Sequence, residues 1–181
     1  SYNYWRWQVL CEGNYCDLIG SIFTTENVNF GNLSESELKN LRHVIIFADP
    51  SKASGFDYFA LTLTGIDKNG NMVLIDSFSE NKMHKKMIAD QIRVWQKQYE
   101  VERTFIEVNG EVGKNFYNDC LNNQISVSGW YSKNNKFERI MANYETITNK
   151  VIFNDNANNR NFAKQIYTFT QDVEKNKVHD D

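Results

Sequence analysis

Five consecutive apolar residues, Val44-Ile45-Ile46-Phe47-Ala48, run without a break into Asp49-Pro50-Ser51. A β-strand sends alternate side chains to opposite faces, so a strand with no polar alternation must be covered on both. That is the situation of a central strand in an α/β sheet with helices on both sides, and it restricts the chain more than any other feature. Further strands are predicted at 58–64 and 72–78. They are joined through Asp67-Lys68-Asn69-Gly70, where Asn-Gly is a strong hairpin signal. The first three strands should therefore form an antiparallel meander.

Downstream the period changes. A helix over 82–99 would place Ile88, Ile92, Trp95 and Tyr99 on one face. A short strand at 104–108 ends at Asn109-Gly110. A helix over 111–121 then aligns Val112, Phe116 and Cys120, and Ile125 to Val127 begins another strand. A helix near 136–147 carries Phe137, Ile140, Met141 and Tyr144. Val151-Ile152-Phe153 is read as a small edge strand, and a last helix over 159–169 buries Phe162, Ile166 and Phe169. Upstream, Ser34 is an N-cap with Glu37 three residues on, opening a short helical turn to Leu41. Residues 1–30, with Tyr2, Tyr4, Trp5 and Trp7, read as an irregular arm. A meander followed by helix–strand units gives an α/β fold with a mixed central β-sheet flanked by helices, and the ribonuclease H-like fold has this element order. The expected organisation is one domain over 1–181, with an arm and short helix over 1–42 and a core over 43–181.

Composition narrows the class. With 181 residues, 41% apolar and 14% aromatic, the chain can bury a sizeable core. No apolar run approaches the roughly 18 residues of a membrane helix, and no signal-peptide pattern is present, so a soluble intracellular protein is expected, with no membrane partner. Three cysteines, Cys11, Cys16 and Cys120, argue against a disulfide framework and offer no zinc spacing. A net charge of −3 speaks against a dedicated nucleic-acid-binding module. It leaves a nuclease open, because carboxylates gathered to hold cations lower the net charge themselves.

Several acids could carry chemistry. Asp49 ends a buried strand, where α/β folds place their sites, although Asp-Pro-Ser is also ordinary turn chemistry. Glu107 lies inside Phe105-Ile106-Glu107-Val108; a carboxylate there needs a metal ion, an arginine or a wet face. Asp57 would alone be a turn cap, and Asp180 and Asp181 an acidic tail. Together, two strand-end carboxylates and acids from a C-terminal segment could hold two Mg²⁺ or Mn²⁺ ions for phosphodiester cleavage. Lys136 and Arg139, three apart on one helical face, could meet phosphate, pair with an acid or simply be solvated. Lys82, Lys85, Lys86, Arg93 and Lys97 should form the exposed side of the long helix. The four Trp residues are expected in core and arm packing; His43, His84 and His179 receive no role.

The combination resembles the C-terminal nuclease domain of the large terminase subunit of tailed double-stranded DNA bacteriophages. Tyr4-Trp5-Arg6-Trp7-Gln8-Val9-Leu10-Cys11-Glu12-Gly13 and Gly20-Ser21-Ile22-Phe23 are similar to the segment leading into that domain. Ala48-Asp49-Pro50-Ser51 with Gly55-Phe56-Asp57 resembles its first acidic motif, and Phe105-Ile106-Glu107-Val108-Asn109-Gly110 its second. Lys136-Phe137-Glu138-Arg139-Ile140 resembles its K-x-x-R-I signature, and His179-Asp180-Asp181 the start of its third acidic motif. The resemblance implies a ribonuclease H-like fold and cutting of concatemeric double-stranded DNA at the start and end of genome packaging. It implies Asp49, Glu107 and Asp180 or Asp181 as catalytic metal ligands and Asp57 as an auxiliary acid; Lys136 and Arg139 are, separately, the expected DNA contacts. Implied partners are a packaging ATPase domain N-terminal in the same polypeptide, the portal protein and the small terminase subunit. The implied setting is the host cytoplasm, outside the finished virion. The chain carries no GxxxxGK[ST] phosphate loop, so it is expected to be the nuclease part alone. A junction resolvase or recombinase of the same fold, or a silent portal- or capsid-docking domain, are the competing expectations.

Overall fold

The computed structural model describes residues 21–50, 58–81, 85–133 and 136–169. Among them, seven strands form one sheet in the order β1-β7-β4-β3-β2-β5-β6. The strands are β1 (Asn29–Gly31), β2 (Arg42–Asp49), β3 (Tyr58–Ile66), β4 (Met72–Asn81), β5 (Val101–Glu107), β6 (Ser128–Trp130) and β7 (Val151–Asn154). Six helices accompany them: α1 (Glu35–Lys39), α2 (Lys85–Gln98), α3 (Glu111–Asn122), α4 (Lys136–Ala142), α5 (Tyr144–Lys150) and α6 (Ala157–Tyr167).

The meander forms as the sequence predicts. β3 runs antiparallel to both β2 and β4. The turn between β3 and β4 is built by Asp67, whose Oδ1 accepts from the backbone N–H of Asn69 and of Asn71, each at 2.8 Å. Gly70 takes φ +85°, a conformation that costs a residue with a side chain. All remaining pairings are parallel, β2 with β5, β5 with β6, β4 with β7 and β7 with β1. The carboxyl ends of six strands therefore share one edge of the sheet.

Each face has its own core. On the first, Val44, Ile46 and Ala48 of β2 meet Leu61, Leu63 and Ile106, and the layer is closed by Ile88, Ile92 and Trp95 of α2 and Phe116 and Cys120 of α3. Full burial of an aliphatic side chain such as Ile88 contributes about 1.5–3 kcal/mol, so this layer dominates the packing. Burial also pushes the Cys120 thiol up to about 11, with Asp119 adding to the rise, which leaves it an inert apolar filler. On the second face Leu74, Val151, Phe153 and Ala163 pack with Ile22, Phe23 and Val28.

α6 is fixed to β4 by one buried residue. Asn159, 0% exposed, donates from Nδ2 to the carbonyls of Leu74, Ile75 and Asn154 and accepts from Ser77 Oγ at 2.8 Å. The register of β3 against β4 shifts between Leu63 and Thr64, beside the carbonyl groups that Asn159 collects. Asn156, the N-cap of α6, accepts from the Asn159 backbone N–H and donates to Ile75 O.

Five local expectations are corrected. Residues 151–153 do not form an edge strand: β7 lies between β4 and β1, and β1 itself lies within the stretch read as an irregular arm. The helix expected over 136–147 is two helices, interrupted at Asn143, which stands as N-cap of α5. In α3 the buried positions are Gly113, Phe116 and Cys120, with Val112 only partly covered, because close approach to β5 selects the glycine. The strand after α3 starts at Ser128; Ile125 is instead buried in the first core ahead of it. In α6 the fully buried residues are Asn159 and Ala163, while Phe162 and Ile166 pack around them partly exposed.

Candidate active site at the carboxyl edge of the sheet

β2 and β5 are parallel neighbours with Phe47 beside Phe105 and Ala48 beside Ile106. The next residues of the two strands are Asp49 and Glu107. Side chains level with one another in a sheet point to the same face, so these two carboxylates leave from the same face, with backbones about 4.8 Å apart. Ala48 and Ile106 are in the first core; Asp49 and Glu107 therefore point to the opposite face. Asp49 is exposed and Glu107 partly exposed. Among the described residues no side chain pairs with the Glu107 carboxylate, whereas Asp49 has a partner.

Three devices hold Glu107 in place. α3 opens four residues later and packs so close to β5 that a Cβ on Gly113 would run into the Glu107 carbonyl oxygen. On the other side Glu107 is level with Trp130 of β6, and Val108 N–H donates to Trp130 O at 2.9 Å. Beyond the strand, Asn109 grips the segment after β6 with both ends of its amide: Oδ1 accepts from Ser132 N–H and Nδ2 donates to Ser132 O, each at 2.8 Å.

Arg139 of α4 reaches back to the same segment. Its Nη1 donates to Ser132 Oγ at 2.9 Å, and its Nε is buried with no hydrogen-bond partner among the described residues. It is half-buried at the edge that carries Glu107. Lys136 begins α4, and its side chain lies outside the described residues, as do Asp57, His84, His179, Asp180 and Asp181 and residues 1–20 of the N-terminal arm. Lys85 and Arg93 lie on the exposed side of α2, paired with Asp119 at 3.5 Å and Asp90 at 3.1 Å. His43, at the other end of β2, pairs with Glu102 at 2.9 Å.

Two residues at this edge were not singled out from sequence as site residues. Asn109 read only as part of an Asn-Gly turn; its place two residues after a strand-end acid is the signal that could have found it. Trp130 was grouped with the packing tryptophans, yet it is 48% exposed, while Trp95 is 3% exposed in the core. Among the described residues no three His, Cys, Asp or Glu side chains gather to form a metal site. Asp49 and Glu107 are nevertheless a side-by-side oxygen pair of the kind that Mg²⁺ and Mn²⁺ take, and they fit such an ion.

A mixed sheet that opens on a three-stranded antiparallel meander and continues in parallel strands, flanked by helices and with acids ending β2 and β5, defines a ribonuclease H-like fold. The chain belongs to the terminase RNaseH-like domain family, whose sequence profile matches residues 46–181. No protein of curated function matches it. The fold is shared with the nuclease domain of g2p, the large terminase of bacteriophage SPP1, solved with bound Mn. That domain is 17% identical, with 80% of each chain covered and a TM-score of 0.58. The large terminase nuclease of thermophilic phage G20c is 13% identical, covering 83% of this chain and 82% of its own, with a TM-score of 0.59; it has also been solved with bound magnesium.

Proposed function

We propose that this domain is a divalent-metal-dependent DNA endonuclease that cuts concatemeric double-stranded DNA at the initiation and termination of viral genome packaging. The observation that carries the reading is the placement of Asp49 and Glu107 at one level, on one face, at the carboxyl ends of neighbouring parallel strands. Family membership and the metal-bound relatives support it.

In this reading Asp49 and Glu107 hold the metal ions, and Asp180 or Asp181 supplies a further carboxylate, with Asp57 auxiliary. Two Mg²⁺ or Mn²⁺ ions, when bound, supply activation of water and stabilisation of the leaving oxygen. The chain's own residues orient the substrate. Arg139, braced by Ser132, and Lys136 approach the phosphates, and the guanidinium fork suits two phosphate oxygens at once. The Asn109 grip keeps β6 and the segment after it at a fixed height beside Glu107. Double-stranded DNA is the substrate, and the packaging ATPase domain of the same polypeptide, the portal protein and the small terminase subunit are the partners, in the host cytoplasm.

The test is cleavage of supercoiled plasmid. The domain should nick it with Mn²⁺ or Mg²⁺ and be silent in EDTA, and Asp49→Asn should abolish cutting with the fold intact. Full activity of Asp49→Asn rejects the site. Strong preference for branched junctions over linear duplex would instead favour a resolvase, and absence of metal binding a docking domain.

A further inference from the structure

Trp130 and Tyr131 are 48% and 63% exposed, at the end of the edge strand β6. An indole left half in water forfeits stabilisation that burial would give. These rings are also not on a slack segment. Trp130 is level with Glu107 on the adjacent strand, so both side chains leave the same face. Its ring meets that of Phe105 in an edge-type contact, with centroids 5.9 Å apart and planes at 74°. Immediately after the pair, Ser132 is fixed at three points, its backbone N–H and C=O by Asn109 and its hydroxyl by Arg139. Lys133 follows, exposed. The sheet edge thus presents two exposed aromatic residues followed by Lys133, with Trp130 held beside a carboxylate of the candidate active site.

We propose that Trp130, with Tyr131, is a stacking platform for a DNA base that has left the helical stack next to the scissile phosphate, so that this domain favours DNA that is unpaired or melted at the cut. The proposal rests on the reading of Asp49 and Glu107 as a DNA-cleaving site. Neighbouring strands lie about 4.8 Å apart, and a stacked nucleotide advances about 3.4 Å along its strand. The two spacings are of the same order, so a base next to a phosphate held at Glu107 is within reach of the indole. Aromatic rings flanked by Lys and Arg are the arrangement that binds single strands, the rings taking the bases and the cations the phosphates. In an intact duplex the bases face inward. Contact then requires a flipped or unpaired base, least costly where pairing is already lost. Lys133 on the segment and Arg139 bound to it from α4 favour a polyanion over an apolar protein face as the occupant.

The experiment measures binding of a labelled short oligothymidylate, and of a labelled fully paired duplex, by fluorescence anisotropy in EDTA, so that no cleavage is involved. Trp130→Ala should weaken oligothymidylate binding about tenfold, and Trp130→Phe should recover most of it, with duplex affinity changed less than about twofold in either variant. With Mn²⁺, wild type should cut a duplex carrying a mismatched bubble faster than the matched duplex, and Trp130→Ala should lose that preference. Equal oligothymidylate binding by Trp130→Ala and wild type overturns the proposal. So does an equal loss on single strand and duplex, which would mark a structural role. If wild type cuts neither substrate with Mn²⁺ or Mg²⁺, the nuclease reading fails instead, and the anisotropy result shows the two failures apart. Trp130→Phe, which keeps the ring contact to Phe105, guards against misfolding of the alanine variant.

Discussion

Asn159 and Glu107 are both polar residues set against the same sheet, and their polar atoms are used in opposite ways. Under α6, Asn159 is fully buried and spends its amide on three backbone carbonyls and one serine hydroxyl. At the end of β5, Glu107 is partly exposed and makes no pairing with any described side chain, while its backbone is fixed from both sides by Gly113 and by Trp130. In the first region polar capacity is consumed in holding the fold. In the second the backbone is rigid and the side-chain oxygens stay available. A buried polar group must be satisfied internally, whereas a ligand site needs donors held in place and not yet used.

The comparison predicts that substitutions in the two regions separate activity from stability. The largest effect on activity is expected for Glu107→Gln or Asp49→Asn: a loss of about a hundredfold or more in plasmid nicking, with a melting temperature within about 2 °C of wild type. A melting shift as large as the activity loss would erase the distinction. Gly113→Ala should affect both, because the added methyl must displace α3 from the Glu107 carbonyl. A destabilisation of about 2–4 kcal/mol together with reduced nicking is expected from calorimetry and cleavage assays.

Asn159→Ala should do the reverse of Glu107→Gln. It strands Ser77 Oγ and takes the amide donor from the carbonyls of Leu74 and Asn154, while Ile75 O keeps the Asn156 amide. The expected cost is about 2–3 kcal/mol, lowering the melting temperature by about 5–10 °C, with the activity of the folded fraction retained. Asn109→Ala removes two exposed hydrogen bonds to Ser132. It should cost no more than about 1 kcal/mol of stability but lower nicking about tenfold, since it frees the segment that carries Arg139's anchor. Unchanged nicking would show that the grip has no bearing on the site.

The smallest effect concerns Asp76, which lies on β4 near Asn159. Burial raises its carboxyl above the ordinary 3.8, against hydrogen bonds from Asn158 Nδ2 and Ser77 N–H that favour the charged form. The folded state thus holds the proton more tightly than the unfolded chain. Its contribution is fully present below about pH 3.8 and is lost as pH rises through the raised value. Asp76→Asn keeps an acceptor for both donors and removes the charge. It should match wild type in thermal melts at low pH and be slightly more stable near pH 7. A less stable variant at neutral pH would show that the charge itself is needed there.

Much of the site's framework was legible in the chain. Val44 to Ala48 marked β2 because a strand covered on both faces has no room for polar alternation, and Asp49 followed as its terminus. Asp67 to Gly70 marked the hairpin through local turn chemistry, and Ser34 with Glu37 marked the capping box of α1, which forms as expected. Less legible were features whose cause lies far along the chain. Gly113 is buried because β5 approaches it, β7 is internal because β1 pairs with its far side, and Asn159 reads in sequence as one of many asparagines until β4 is placed beneath it.

The sequence by itself determined the order of strands and helices, the period of their apolar faces, and that Asp49 and Glu107 each close an apolar strand. Those properties are local, set by backbone sterics and by which face must leave water. Only the tertiary structure decided that β2 and β5 are neighbours in parallel register, so that two acids 58 positions apart stand level on one face. It also decided that Trp130 is exposed beside one of them while Trp95 is buried. Pairing between distant strands and the covering of a ring depend on every element packed around them, and no window of sequence contains that information.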